Sequence, residues 1–150
     1  MKVQDQIKAL SSYIPEMDKS DEDVSKVQVG WHIYHALLVI VKVIRMLEQS
    51  ESSTGPLKTT MFQRIFFFLK LIPRGKAKAP RAVRPPDDFS QQELIGLEQK
   101  ALSMLSSVSE ISPLAQFDHP RVGILNKDKA MKFLAIHTTH HLKIIKDILK

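Results

Sequence analysis

Apolar residues recur at helical spacing along most of this chain. Val3, Ile7, Leu10 and Ile14 stand four, three and four positions apart, the mark of an amphipathic helix, and Pro15 ends or kinks it. A polar stretch from Asp18 to Asp23 follows. An apolar-rich segment then runs from about Ser25 to Gln49, with neither proline nor an interior turn signal after Gly30. Its length predicts a helix rather than a strand. Residues 50–60 read as a loop by composition. Met61 to Ile72 predicts a short helix stopped by Pro73. Residues 73–88 hold Pro73, Pro80, Pro85 and Pro86 and predict an extended basic connection. Ser90 and Glu93 have the spacing of a capping box. Leu94, Leu97, Ala101, Met104, Leu105 and Val108 mark one face of the helix that follows. Residues 111–125 predict another loop, and Asn126 is placed to cap a last helix running close to the C-terminus.

No segment shows convincing period-two alternation. The elements therefore predict an all-α fold, a four-helix bundle with one short extra helix. The long link between the second and third major helices allows a crossover connection. The whole span 1–150 reads as one domain, and no internal repeat is visible.

Composition narrows the chemistry. The chain has 150 residues, 43% of them hydrophobic, too many for a disordered chain. Zero cysteines exclude a disulfide framework, a cysteine nucleophile and a thiolate-ligated zinc site. Five glycines supply no G-x-G-x-x-G or P-loop pattern. The first residues, Met1-Lys2-Val3-Gln4-Asp5, lack the apolar run of a signal peptide. The strongly apolar stretches 36–41 and 65–69 are too short to span a bilayer. The expectation is a cytoplasmic protein with no transmembrane segment.

The six histidines, at 32, 35, 119, 137, 140 and 141, carry the most information. At 100° per residue, Ala130, Phe133, Leu134, Ile144, Ile145 and Ile148 all fall within about 80° of His137. His141 falls in the same sector, and Lys132, Lys143, Lys146 and Lys150 lie on the opposite side. Two imidazoles in an apolar stripe need hydrogen-bond partners or a metal, because unpaired burial is costly. Their i, i+4 spacing lets two ring nitrogens converge on one ion. The same spacing occurs in H-E-x-x-H metalloproteases. Here Thr138, Thr139 and His140 intervene, so the protease glutamate is missing and that assignment fails. A third ligand is available from His32, His35 or His119. On the second helix Gln28, His32, His35, Lys42 and Gln49 share one side. That is either a solvated polar stripe or, near the helix start, the lining of a cavity.

These segments resemble a known group. Gly30-Trp31-His32-Ile33-Tyr34-His35 resembles the W-x-x-x-H segment of the DinB/YfiT-like metalloenzyme superfamily. Phe117-Asp118-His119-Pro120-Arg121-Val122-Gly123 looks like the H-P-x-x-G segment of one of its uncharacterised branches. His137-Thr138-Thr139-His140-His141-Leu142 is similar to the superfamily's C-terminal H-x-x-x-H. The resemblance implies a four-helix bundle holding one divalent metal through His35, His137 and His141. It also implies relatives that include thiol-S-transferases using low-molecular-weight thiols, maleylpyruvate isomerase-like enzymes and members with no assigned reaction. The chain departs from the common form at Leu142-Lys143-Ile144, where many relatives carry a Gly-Gln pair. Trp31, His32, His119 and His140 remain as pocket or supporting residues. His32 is expected at the rim. His119 is expected either to face the pocket or to fix its loop. His140 is expected to be at least partly exposed.

An open three-His site suits zinc, nickel, copper or iron and leaves room for a small-molecule thiol or electrophile. Two other readings compete with it. Lys70, Arg74, Lys76, Lys78, Arg81 and Arg84, with Phe66, Phe67 and Phe68 just before them, form a candidate anionic-surface binder. The simpler expectation is a solvated, proline-stiffened loop beside a helix whose phenylalanines pack in the core. Nucleic acid is not an expected partner, since no recognition-helix motif or stacking set accompanies the charge. A homodimer would account for Phe62, Phe66, Phe67 and Phe68, which exceed what one face of a short helix buries.

Overall fold

The computed structural model describes residues 2–50, 59–75 and 78–150. Most of the 50–60 loop expectation, and Lys76, therefore lie outside the described residues. Helix α1 spans Val3–Ser11 and turns Val3, Gln6, Ile7 and Leu10 inward. Proline ends it early: Pro15 sits in a separate 3-10 turn, Ile14–Glu16, where a missing N–H costs nothing.

Helix α2 spans Val29–Glu48, starting about four residues later than the hydrophobic pattern predicts. The chain before it folds back, and its first donors are used there. Val29 N–H donates to the Lys19 carbonyl at 2.9 Å and Gly30 N–H to the Met17 carbonyl at 2.8 Å, which satisfies groups a helix start leaves unpaired. Gly30 permits this approach. A Cβ there would stand 3.0 Å from Met17 Cβ and 3.2 Å from Phe89 Cε2. Gly30→Ala is therefore expected to lower stability by about 1–3 kcal/mol through overpacking, despite alanine's better helix propensity. Urea denaturation measures it, and an unchanged or raised midpoint contradicts it.

Taken whole, α2 is long and apolar enough to cross a membrane by length and composition, with mean hydropathy 1.3, and 67% of that window is buried within the fold. The expectation of no spanning segment rests on shorter runs, 36–41 within α2 and 65–69 farther along the chain.

Helix α3 spans Met61–Leu69, with the Thr60 hydroxyl accepting from Gln63 N–H. It ends three residues before Ile72, at Lys70, whose backbone is left-handed with φ 49°. Only Gln63 is fully buried on it, and its amide donates to the Ile124 carbonyl at 2.9 Å. Phe66 and Phe67 are half-buried, while Phe62 and Phe68 are exposed. Of Phe66, Phe67 and Phe68, expected in the core, the first two pack against it and Phe68 does not. The connection onward contains a 3-10 turn, Arg81–Val83.

Helix α4 spans Gln91–Ser107 and has the expected capping box between Ser90 and Glu93. The 111–125 segment is not simply a loop. Strands β1, Gln116–His119, and β2, Gly123–Asn126, form an antiparallel hairpin in which Phe117 faces Leu125 and His119 faces Gly123. Gly123 adopts φ 82°, a conformation that favours glycine. The His119 ring clasps the turn, its Nδ1 accepting from Arg121 N–H and Val122 N–H at 3.2 Å each. Strand β2 runs directly into helix α5, Lys127–Ile148, and the Asn126 side chain accepts from Lys129 N–H at 3.0 Å.

Helix α2 packs against α4 and α5, and α1 packs against the same two helices. Gln6 ties α1 to α5 by donating to the Ala135 carbonyl at 2.9 Å and the Thr139 hydroxyl at 2.6 Å. The fold among the described residues is predominantly helical, as expected, with the hairpin as its one β element.

Candidate metal centre

The apolar stripe of α5 turns inward and carries His137 and His141 with it. Helix α2 faces it and presents His35 from its second turn. The three imidazoles form a closed group. Ring centroids stand 5.1 Å apart for His35–His137, 4.8 Å for His35–His141 and 4.6 Å for His137–His141. One ligand nitrogen from each lies within 4.8 Å of the others. Nitrogens sharing an ion at about 2.0–2.1 Å stand roughly 3.3–3.6 Å apart, so modest ring rotations bring this set onto one cation.

Hydrogen bonds set the tautomers. His35 Nδ1 lies 2.7 Å from the Val83 carbonyl. A carbonyl only accepts, so Nδ1 holds the proton and Nε2 of the neutral ring carries a free lone pair. His141 Nδ1 lies 3.0 Å from His32 Nδ1, and His32 Nε2 lies 2.9 Å from the Ser25 hydroxyl. A cation on His141 Nε2 requires the proton on its Nδ1. His32 Nδ1 then accepts a hydrogen bond from that N–H, and His32 donates its own Nε2–H to Ser25. The chain of donors and acceptors is consistent from end to end.

His137 differs from both. Part of the residue touches solvent, yet its Nδ1 is enclosed and has no hydrogen-bond partner. An unpaired buried ring nitrogen beside two others is what a cation would satisfy.

The electrostatics agree. Burial first, and neighbouring imidazolium charge second, hold His137 and His141 well below the usual histidine range. Burial lowers His35 too, partly offset by its bond to Val83. His32 is held at about 3 by burial and by the positive forms of His35, His140 and Arg74. Neutral imidazoles are the form a metal needs.

The remaining histidines stand outside this group. Buried His32 is not a rim residue; its Nδ1 lies against that of His141. Neither does α2 present a solvated stripe here, since His32 and His35 are only 4% and 5% exposed. Trp31 on the same helix and, from elsewhere in the chain, Val83 and His141 cover them. Trp31 stacks on His35 with centroids 4.9 Å apart. His119 both fixes the hairpin turn and packs on Phe133 at 4.6 Å, and Phe133 stacks on His137 at 5.6 Å. His140 is half-buried, lies edge-on to His141 at 5.1 Å, and is held at about 4 by burial and by Arg74. Ser25 and the Val83 carbonyl were not legible as site residues. Ser25 sits outside the helix, and a backbone carbonyl has no sequence signature.

The chain matches no family model, no curated protein and no solved structure. Its chemistry is therefore read from the side chains themselves.

If His32 positions His141, His32→Phe keeps the ring volume, removes the acceptor and is expected to weaken zinc affinity about 10–100-fold. His32→Asn, with an oxygen near the Nδ1 position, is expected to restore much of it. A competition titration with a zinc chelator reads both. Equal affinities for wild type and His32→Phe would remove that role.

Proposed function

We propose that this chain is a divalent-metal-dependent enzyme of the DinB/YfiT-like kind, with His35, His137 and His141 as its metal ligands. The observation that carries the reading is the convergence of three neutral imidazoles, one with an enclosed and unpartnered Nδ1. In this reading α1, α2, α4 and α5 are the four helices of the bundle, α3 is the short extra helix, and residues 49–90 are the crossover. The packing of α1 and α2 on α4 and α5 supports it.

The ligand set is neutral and all-nitrogen. A divalent cation held by it keeps its full charge and supplies Lewis acidity that lowers the pKa of a thiol or water offered to it. The protein's own residues do the rest. Val83 fixes the proton of His35, and His32 with Ser25 fixes that of His141. Trp31 and Phe133 cover the rings of His35 and His137 and hold their planes. No carboxylate stands among the three ligands to act as a base, which favours a reaction whose nucleophile needs only deprotonation at the cation. Transfer of a low-molecular-weight thiol to an electrophile is such a reaction.

The test is elemental analysis of protein prepared without a His-tag, followed by a thiol-consumption assay with a reactive electrophile. The expected result is about one divalent ion per chain and thiol consumption that tracks metal loading. Metal-free protein that takes up no zinc, nickel, copper or iron on titration would end the reading.

A further inference from the structure

The net charge of the chain is concentrated in one place. Residues 59–86 hold seven of the 22 Lys and Arg (Arg64, Lys70, Arg74, Lys76, Lys78, Arg81 and Arg84) and none of the 16 Asp and Glu. The other residues carry fifteen against sixteen. The formal charge of +6 is thus the charge of this segment less one.

The same segment holds the exposed apolar surface. Met61, Phe62, Ile65, Phe68, Leu69 and Leu71 are 49–84% exposed, and they are six of the nine exposed large hydrophobics among the described residues. On α3 the arrangement is ordered. At 100° per residue, Phe68, Met61, Ile65, Leu69 and Phe62 fill one arc of about 120°. Gln63, Phe66 and Phe67, the side chains that pack inward, fall on the opposite side. Arg64 borders the exposed arc, and Lys70, Lys78, Arg81 and Arg84 follow on the connection, while Arg74 there is already paired with Asp147 of α5 at 2.7 Å. Phe66 reaches Phe133 at 6.1 Å, so the helix is docked by its inner edge and presents its outer one.

We propose that this face docks α3 on an anionic lipid surface, lying in the interface with its apolar arc among the acyl chains and its cations at the headgroups. Charge complementarity selects the occupant. A second copy of this chain would bring two acid-free cationic segments together with no carboxylate of their own to pair with, which is repulsive. A nucleic acid would meet the cations, but it offers the aliphatic Met61, Ile65, Leu69 and Leu71 nothing to bury against, since its bases recruit aromatic faces. An interfacial helix combines an apolar face with Lys and Arg at its edges. None of these residues is among the candidate metal ligands, so the docking surface stands or falls apart from the metal reading.

The experiment is co-sedimentation of the full chain with phosphatidylcholine vesicles, with and without phosphatidylserine, at low and high salt. Expected are binding to the anionic vesicles alone, weakening as salt screens the cations, and a loss of at least about tenfold in Phe62→Ser/Phe68→Ser, from the apolar area withdrawn. Both positions are exposed, and circular dichroism confirms that the variant is folded. No binding to anionic vesicles at low salt overturns the proposal. So does vesicle binding unchanged in the double variant, which would be charge attraction without insertion. A stable dimer in light scattering that the same variant makes monomeric assigns the face to self-association instead. Single-stranded RNA binding that competes with vesicles and requires Phe62 and Phe68 assigns it to nucleic acid.

Discussion

His141→Ala is expected to yield a folded chain that retains no divalent metal at micromolar concentration. The substitution removes one of three converging ligands and breaks the line from Ser25 through His32 in the same step. Two imidazoles remain, one of them with no hydrogen-bond partner at its enclosed Nδ1. His140→Ala is the matched control. It removes the neighbouring imidazole, which packs edge-on against His141 but lies outside the converging set, and it is expected to bind metal nearly as the wild type does. Thermal unfolding gives a second readout. Zinc at about 100 times its dissociation constant stabilises a folded binder by about 2.7 kcal/mol, roughly 5–11 °C for a chain of this size. The shift is expected in wild type and His140→Ala and absent in His141→Ala. Equal shifts in all three would place the ion elsewhere.

The metal-free protein is expected to be sharply acid-sensitive. In the unfolded chain each histidine takes up a proton near pH 6.5. In the folded chain burial delays this, to about pH 3 for His32 and to well below the usual range for His137 and His141. Between those limits the unfolded state holds more protons, so stability is full above about pH 6.5 and falls as pH falls. Each of the three contributes a slope of up to about 1.4 kcal/mol per pH unit, together about 4. Against a typical total of about 5–15 kcal/mol, metal-free protein is expected to unfold within a few pH units of neutrality. Urea midpoints from pH 7 to 4 measure the slope, and His141→Ala should flatten it. A midpoint independent of pH across that range would contradict the burial of these rings as neutral groups.

The two halves of the candidate centre differ in how far the sequence discloses them. On α5 the inward direction of His137 and His141 follows from their place among Phe133, Leu134, Ile144 and Ile148, and Asn126 marks where the helix begins. Local periodicity decides both. On α2 the same logic groups His32 and His35 with Gln28, Lys42 and Gln49 and suggests a solvated stripe. Beyond the local stacking of Trp31 on His35, what buries the two histidines comes from far along the chain, the Val83 carbonyl and His141, and no local pattern contains those two. The hairpin escapes for another reason. Its strands are four residues long, and Phe117 and Leu125 are the only fully buried residues in them, too few to show an alternation. The exposed side of α3 is legible only as an excess of phenylalanine. Which of them face out depends on the docking through Gln63.

The direct passage from β2 into α5 has a mechanical consequence. Asn126 is at once the last residue of the strand and the cap of the helix, so no slack separates the hairpin from the rod that follows. Each residue of a helix advances the next by about 100°. The clasped turn around His119 therefore acts as the angular datum for everything downstream: it sets the azimuth at which His137 and His141, eleven and fifteen positions after Asn126, meet α2.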